Sequence, residues 1–215
     1  MADQLFTKIL SPQKPPFRFS WLCVIFLLDL SFIALLTAPM LMPESYSWVI
    51  HTTSESAAQG LQSAWLARLG FLLFGLAVLW LASSARETWA RAAVWMHIGF
   101  AVMMLGTAAF SHRPFLPDVP FDAVEDTLHS FTAMLMGFAF SLGVFVRFLQ
   151  RDKFAVVDRL VDLTALASAV FIPLLMLWQP DMSGLVQRLM FLAAYIWYGL
   201  EAWGLRTTSN TAYSG

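Results

Sequence analysis

The chain has 215 residues, of which 59% are hydrophobic and only 13% charged, and its mean hydropathy is +0.66. Soluble domains carry about 25% charged residues, so this chain lacks the polar surface that a water-soluble domain of its size needs. Its net charge of −1 excludes a basic field for nucleic acid, and its single cysteine excludes an internal disulfide or a multi-cysteine metal site. The composition indicates an integral membrane protein.

Six apolar segments are long enough to cross a bilayer, whose core of about 30 Å needs about 20 apolar residues per helix. They cover residues 20–42, 64–84, 88–110, 125–148, 160–178 and 185–205. We therefore predict an all-α fold, a single six-helix transmembrane domain over residues 20–206 in which sequential helices are neighbours. Residues 1–19 and 207–215 are predicted to be cytoplasmic ends.

The basic residues predict the orientation of these helices, because Lys and Arg concentrate on the cytoplasmic side of a membrane. Ten of the thirteen lie on one side of the six segments: Lys8, Lys14, Arg18, Arg86, Arg91, Arg147, Arg151, Lys153, Arg159 and Arg206. Both termini are therefore expected in the cytoplasm. We interpret Arg147, Arg151 and Lys153 as topology determinants.

The first apolar segment does not have the features of a cleaved signal peptide. It is too long for a signal peptide, and Pro39 follows Ala38 where a small residue would be expected after cleavage. We therefore expect it to be a retained anchor. Because no targeting peptide is evident, we expect a multi-pass protein of a cell membrane, specifically a bacterial inner membrane.

Three ionisable residues lie about one helical turn inside the membrane from the opposite, outer side. They are Arg68 in the second segment, His129 in the fourth and Arg188 in the sixth. Groups at this depth normally face the bundle interior or a water-filled cavity. Together with the two long outer loops, they predict an outward-facing polar pocket. The loops add these polar residues: His51, Ser54, Glu55, His112, Asp122 and Asp126.

The entry to the fourth segment has the pattern of a helix N-terminus. Asp122 is a candidate N-cap, with Glu125 three residues later as in a capping box. Glu125 and Asp126 precede His129 by four and three residues, so either carboxylate could orient the imidazole, or all of them could simply cap the helix. A stripe of small residues then predicts close helix packing on the same face: Ala133, Gly137 and Ser141.

Two of these stretches resemble the DUF998 family of polytopic membrane proteins. The first is Ser54-Glu55 in HTTSESAAQG before the second segment, and the second is LPD followed by EDTLHSFTAMLMGFAF. A Ser-acid pair at this place is also distantly similar to DRAM/Frag1-type membrane proteins, some of which act in lipid or GPI-anchor metabolism. The DUF998 resemblance implies a membrane architecture and no particular reaction.

The polar pocket first suggests binding of a lipid headgroup or small amphiphile. Arg68 and Arg188 could clamp a phosphate or carboxylate, beside Glu55, His112 and Asp122. Alternatively, each arginine could pair with a carboxylate and hold the bundle together, the candidates being Glu55, Asp126 and Asp181. Membrane lipids are the expected partners, and nucleic acid is not.

A second hypothesis is a metal-dependent hydrolase or transferase acting on lipid. His51, His112 and His129 could bind zinc and leave one position open. His129, Asp126 and Ser54 would then be the catalytic candidates. The residue types are similar to those of ceramidase-like membrane hydrolases, but the fifth and sixth segments here contain no histidine.

A third hypothesis is conduction of protons or a solute through the bundle. Asp29, His97 and Glu201 lie at three different depths in the first, third and sixth segments. Ionisable residues at membrane depth are functional candidates by default. They could form a relay to the outer pocket.

Overall fold

The computed structural model describes the backbone of residues 20–212 and the side chains of residues 20–206. This part of the chain is helical, with seven α-helices. They are α1 (Ser20–Thr37), α2 (Thr53–Ser56), α3 (Ala64–Ser84), α4 (Arg91–Ala109), α5 (Ala123–Gln150), α6 (Val156–Trp178) and α7 (Ser183–Ala212). Short 3₁₀ turns over Ala38–Leu41 and Pro180–Met182 extend α1 and precede α7. The predicted segment 1–19 lies outside the described residues, whereas the helical backbone continues into the predicted tail.

Five helices are long and apolar enough to cross a membrane: α1 with its 3₁₀ extension, α3, α4, α5 and α6. The sixth predicted segment forms most of α7, which has 30 residues. It is less apolar than the other five because it contains Gln187, Arg188 and Glu201. The five apolar helices support a multi-pass membrane protein.

The long helices form a closed ring in chain order. α1 packs on α3, α3 on α4, α4 on α5, α5 on α6 and α6 on α7, and α7 closes the ring against α1. Aromatic rings fill the centre. Phe74 stacks on Tyr195 with 4.4 Å between ring centroids, and Tyr198 lies between Phe100 and Phe140 at 5.3 and 5.6 Å.

The two ends of this bundle differ. The loop end contains the longer connections, residues 38–63, 110–122 and 179–182. The basic end contains the start of α1, the α3–α4 and α5–α6 connections and the last turns of α7. In the topology predicted from the sequence, the loop end is the outer side and the basic end is the cytoplasmic side.

Helix α6 is packed into the bundle mainly near its start, where its buried residues Asp162 and Ala165 lie. Farther along, a groove of about 670 Å³ separates α6 from α5 and α7 and is lined mostly by apolar side chains. The small-residue stripe of α5 lines this groove, and a Cβ added at Gly137 would have no atom within 4 Å. The prediction of close helix packing along that stripe is therefore wrong, because α6 stands away from it.

Candidate functional site

Gln59 joins the two longer loops at the loop end. Its backbone N–H donates to the carbonyl of His112 at 2.9 Å. Its side-chain Nε2 donates to the carbonyls of Ser111 and Asp122, both at 3.0 Å, and its Oε1 accepts from the Asp122 N–H at 2.7 Å. The side chain is 9% exposed. These bonds fix the first loop against the second and close the bundle at this end.

The N-terminus of α5 is capped by Asp122, as predicted. Its side chain accepts from the N–H groups of Val124 and Glu125 at 2.7 and 3.2 Å. The reciprocal half of the predicted capping box is absent, because Gln59 already binds the Asp122 N–H. Glu125 instead accepts from the Ser111 N–H at 2.7 Å, so it holds the second loop.

His129 is 2% exposed, and its Nδ1 lies 2.8 Å from the carbonyl oxygen of Phe110. This carbonyl, rather than a carboxylate, orients the ring. Asp126 accepts from the Arg113 N–H at 2.8 Å and lies 3.8 Å from Nε2 of His112. The rings of His112 and His129 meet edge to face with 5.3 Å between centroids. The structure therefore brings together three predicted site residues: His112, Asp126 and His129.

The third predicted zinc ligand, His51, lies in a different cluster. Its Nδ1 accepts from the Ser47 N–H at 2.8 Å, and its ring packs against Phe115 at 4.4 Å between centroids. Within residues 20–206, no group of three His, Cys, Asp or Glu side chains is placed to hold a metal ion. The proposed set of His51, His112 and His129 is thus not assembled there.

The Ser54-Glu55 pair lies on the single turn of α2. Glu55 Oε2 accepts from the N–H and the hydroxyl of Thr52 at 2.6 and 2.8 Å, and the Thr52 hydroxyl accepts from the Glu55 N–H at 3.2 Å. This is a complete capping box. The Glu55 carboxylate therefore stabilises α2, and Ser54 is half-buried beside it.

Arg68 binds backbone carbonyls at the end of α2. Its Nε donates to Ala57 at 3.1 Å and its Nη2 to Ala58 at 3.5 Å. No carboxylate of residues 20–206 lies within 4.0 Å of its guanidinium nitrogens, so the alternative pairing with an acidic residue is not formed there. Arg68 ties the first loop to the second predicted span.

Arg188 likewise holds the start of the first loop against α7. Its Nη1 donates to the carbonyls of Trp48, His51 and Gly184 at 2.8, 3.0 and 2.8 Å. Its Nη2 donates to the Tyr46 hydroxyl at 2.7 Å, and the guanidinium lies 4.5 Å from the centroid of the Trp48 ring. Here too, no described carboxylate is within ion-pair distance.

Tyr46 remains a hydrogen-bond donor at neutral pH. Burial raises the pKa of its phenol above the usual value of 10.0, although the charge of Arg188 opposes this shift. The protonated hydroxyl donates to the carbonyls of Thr52 and His51 at 2.9 and 3.2 Å. Tyr46 therefore links the guanidinium of Arg188 to the backbone of the first loop.

Arg188 also lines an apolar groove of about 210 Å³ between α1 and α7. We call this the α1/α7 groove. Its lining is Phe32, Leu35, Leu36, Trp48, Thr53, Leu185, Arg188, Leu189, Phe191, Leu192 and Tyr195. Nε of Arg188 and the hydroxyl of Thr53 are both buried, and neither has a hydrogen-bond partner among the described residues.

The basic end contains a buried ionic network. Its arginines, Arg147 and Arg151, were predicted to be topology determinants, and Glu201 a member of the relay. Glu201 is 7% exposed and accepts from Nη2 of Arg147 at 3.0 Å and from the indole N–H of Trp89 at 3.1 Å. Arg151 also binds Glu201. The same arginine binds the fully buried Asp162, with Nε 3.0 Å from Oδ2.

Asp162 and its neighbours join α5, α6 and α7 to the α3–α4 connection at this end. Its Oδ1 accepts from the indole N–H of Trp197 at 2.7 Å. Burial lowers the pKa of Arg151, but the hydrogen bond to Asp162 and the charges of Glu201, Asp162 and Asp158 outweigh this and raise the pKa above its usual value. Asp162 is the third residue of the predicted fifth span. An acidic residue inside an apolar segment was the one feature of the sequence that could have indicated its role.

The structure separates the residues of the proposed relay. Asp29 is exposed on α1, whereas His97 is fully buried in α4, with Nδ1 2.9 Å from the Tyr198 hydroxyl. Trp89 lies between the other two members, 4.9 Å from the His97 ring and hydrogen-bonded to Glu201. His97 and Glu201 are thus linked through an indole, and Asp29 is apart from them.

Comparison with known proteins identifies the family of the chain. The sequence matches the family described as "Protein of unknown function (DUF998)" over residues 29–204. No curated protein matches the sequence. No solved structure matches it either. The more distant similarity to DRAM/Frag1-type proteins stays a prediction. The family match runs from α1 to the last part of α7 and covers both the loop end and the ionic network, so the chain belongs to the DUF998 family.

Proposed function

We propose that this protein crosses a bacterial inner membrane six times, keeps both termini in the cytoplasm and binds an anionic amphiphile at its outer face. Helix α7 is the sixth span in this proposal, because it packs between α1 and α6 and is as long as they are. The concentration of Lys and Arg at the basic end supports the orientation. The proposed ligand site is the α1/α7 groove.

The observation that carries this proposal is the position of Arg188 at the edge of an apolar groove. Its charge is balanced by carbonyl and phenol dipoles rather than by a described carboxylate. An arginine in such a place favours a phosphate or carboxylate, since charge-assisted hydrogen bonds strengthen where water is excluded. The loop end thus offers a headgroup contact beside a lipid-facing surface.

The groove supplies the complementary apolar contact. Leu36, Leu189 and Leu192 line it and are each 40% or more exposed, so an alkyl chain packed there would cover apolar surface. Arg188 Nε and the Thr53 hydroxyl supply two further hydrogen-bond donors next to the groove. An apolar chain with an acidic head therefore matches both parts of the site.

The remaining predicted ligand residues do not line this groove. Arg68, Glu55, Asp122 and His112 hold the two loops in place through the bonds described above. A catalytic role for His129, Asp126 and Ser54 stays a prediction, as does zinc binding. We assign no reaction to the α1/α7 groove.

A photoreactive fatty acid tests the proposal. We would add palmitate carrying a diazirine on its chain to the detergent-purified protein, with the matching alcohol as the uncharged probe. Mass spectrometry then locates the cross-links. We expect labelling of the groove-lining part of α7 by the acid, with at least tenfold less labelling by the alcohol, because the alcohol lacks the charge that Arg188 binds.

Two variants and a control complete the test. Arg188→Gln should reduce labelling by the acid about tenfold, whereas Arg68→Gln removes a guanidinium that also binds carbonyls and should leave it unchanged. Because Arg188→Gln also disturbs the loop, Leu189→Trp is a second variant that fills the groove and keeps the arginine. Equal labelling of wild type and both groove variants would refute the proposal.

A further inference from the structure

A second site is suggested by a cavity at the basic end, far from the α1/α7 groove. It has a volume of about 250 Å³ and lies where the α3–α4 connection, the end of α5, the start of α6 and the second half of α7 meet. Its walls include Trp89 and Trp197 together with Arg147, Arg151, Asp158 and Glu201. This combination of aromatic faces and charges of both signs is built from four separate parts of the chain.

The ionic network leaves specific groups unused around this cavity. Nε of Arg147 is buried and has no hydrogen-bond partner among residues 20–206. Arg151 uses Nε and Nη2 for Asp162 and Glu201, and its Nη1 makes no hydrogen bond to any described residue. Its side chain keeps 18% exposure. The cavity thus retains hydrogen-bond donors on its arginine side.

An unpaired carboxylate lies on another wall of the cavity. Asp158 is exposed in the first turn of α6 and forms no ion pair within 4.0 Å with the described residues. The charges of Arg147 and Arg151 are matched by those of Glu201 and Asp162. Asp158 is therefore the lining carboxylate that forms no ion pair within residues 20–206, beside the free arginine donors.

We propose that this cavity binds a small zwitterion, in which an ammonium group faces Asp158 and a phosphate or carboxylate accepts from Arg151. A bare anion would leave Asp158 without a positive partner, and a bare cation would leave the arginine donors unused. Trp89 and Trp197 line the cavity, and their N–H groups are already bound to Glu201 and Asp162. Phosphoethanolamine has the required chemistry, either free or as a lipid headgroup.

The binding of O-phosphoethanolamine tests this inference. The full chain would be placed in phosphatidylglycerol nanodiscs and titrated with O-phosphoethanolamine, inorganic phosphate and ethanolamine by calorimetry. We expect phosphoethanolamine to bind at least tenfold more tightly than either of the other two. Phosphate binding as tightly as phosphoethanolamine would overturn the proposal.

Asp158→Asn identifies the ammonium contact. We expect this exposed substitution to weaken phosphoethanolamine binding about fivefold, as for loss of one partly solvated ion pair. Asp152→Asn changes a nearby exposed carboxylate that does not line the cavity and should leave binding unchanged. Equal affinities for wild type and Asp158→Asn would also overturn the proposal.

Nanodiscs that contain phosphatidylethanolamine distinguish the two sources of the zwitterion. If the lipid headgroup occupies the cavity, these nanodiscs should abolish binding of free phosphoethanolamine and raise the unfolding temperature of wild type but not of Asp158→Asn. If the ligand is a soluble zwitterion, phosphoethanolamine should bind equally in both kinds of nanodisc. Absence of phosphoethanolamine binding together with no effect of the lipid would refute the site.

Discussion

Glu201→Gln removes one negative charge from the buried ionic network while keeping the shape of the side chain. The carboxylate is 7% exposed and binds Arg147, Arg151 and Trp89. Removing one partner of a buried ion pair costs about 3–5 kcal/mol, because the opposite charge stays buried. Arg151 keeps its pairing with Asp162, so we expect the lower value of about 3 kcal/mol.

The loss should appear as a lower unfolding temperature. For a chain of 150–250 residues, 1 kcal/mol corresponds to about 2–4 °C, so Glu201→Gln should unfold about 6–12 °C below wild type. The temperature at which the detergent-purified protein loses its monodisperse peak in size-exclusion chromatography measures this. Asp181→Asn is the control, since it removes an exposed carboxylate at the loop end and should change the temperature by less than about 2 °C.

A double variant separates the cost of an unpaired charge from the cost of lost packing. Replacing Arg147 and Glu201 together with methionine removes both charges, and such replacements are often neutral or stabilising. We expect the double variant to recover at least half of the loss caused by Glu201→Gln. The reasoning is wrong if Glu201→Gln unfolds within 2 °C of wild type, or if the double variant is the less stable of the two.

Three further predictions concern other parts of the molecule. Gly137→Leu fills the groove beside α6, whereas Gly199→Leu gains helix propensity alone, so Gly137→Leu should raise the unfolding temperature more. Equal increases for the two variants would contradict the packing of the new side chain in the groove. Tyr46 has a raised pKa, so the folded protein keeps a proton that the unfolded chain loses above pH of about 10, and stability should fall as pH rises from 9 to 11. Tyr46→Phe should reduce this fall. The prediction is wrong if urea unfolding gives the same loss of stability between pH 9 and 11 for wild type and Tyr46→Phe. Gln59→Leu leaves the Ser111 carbonyl and the Asp122 N–H unpaired and should cost about 2–3 kcal/mol. Hydrogen exchange over residues 110–122 should then be faster, and unchanged exchange would argue against the loop contact.

The apolar segments could be predicted from the sequence because each must be continuous along the chain. Their ends were less accurate where charges fall inside a helix. Asp158 and Arg159 lie in the first turn of α6, so the helix begins at Val156, four residues before the predicted span. Arg91 begins α4, whereas the span was predicted from residue 88. Hydropathy indicates which residues lie in lipid, and a helix can begin before that region, as α6 does, or inside it, as α4 does.

The pairing of polar residues could not be predicted in the same way. Asp122 was recognised as a cap because its partners are its neighbours in sequence. Glu201 is 54 residues from Arg147, and nothing in either local sequence indicates that they meet. Arg68 and Arg188 were expected to bind a ligand or a carboxylate, but in the structure both donate hydrogen bonds to backbone carbonyls of the first loop. Because every residue has a backbone carbonyl, contacts of this kind leave no signal in the sequence.

The aromatic layer in the middle of the bundle makes the two ends thermodynamically independent. Phe74, Phe100 and Tyr198 occupy the level between the Gln59 contacts and the Glu201 network. Helix α4 alone spans about 28 Å between the ends, at 1.5 Å per residue. Sites this far apart that share no partners usually have additive free energies. A variant that combines Gln59→Leu with Glu201→Gln should therefore lose the sum of the two separate costs, and a measurable coupling energy would show that the layer transmits strain.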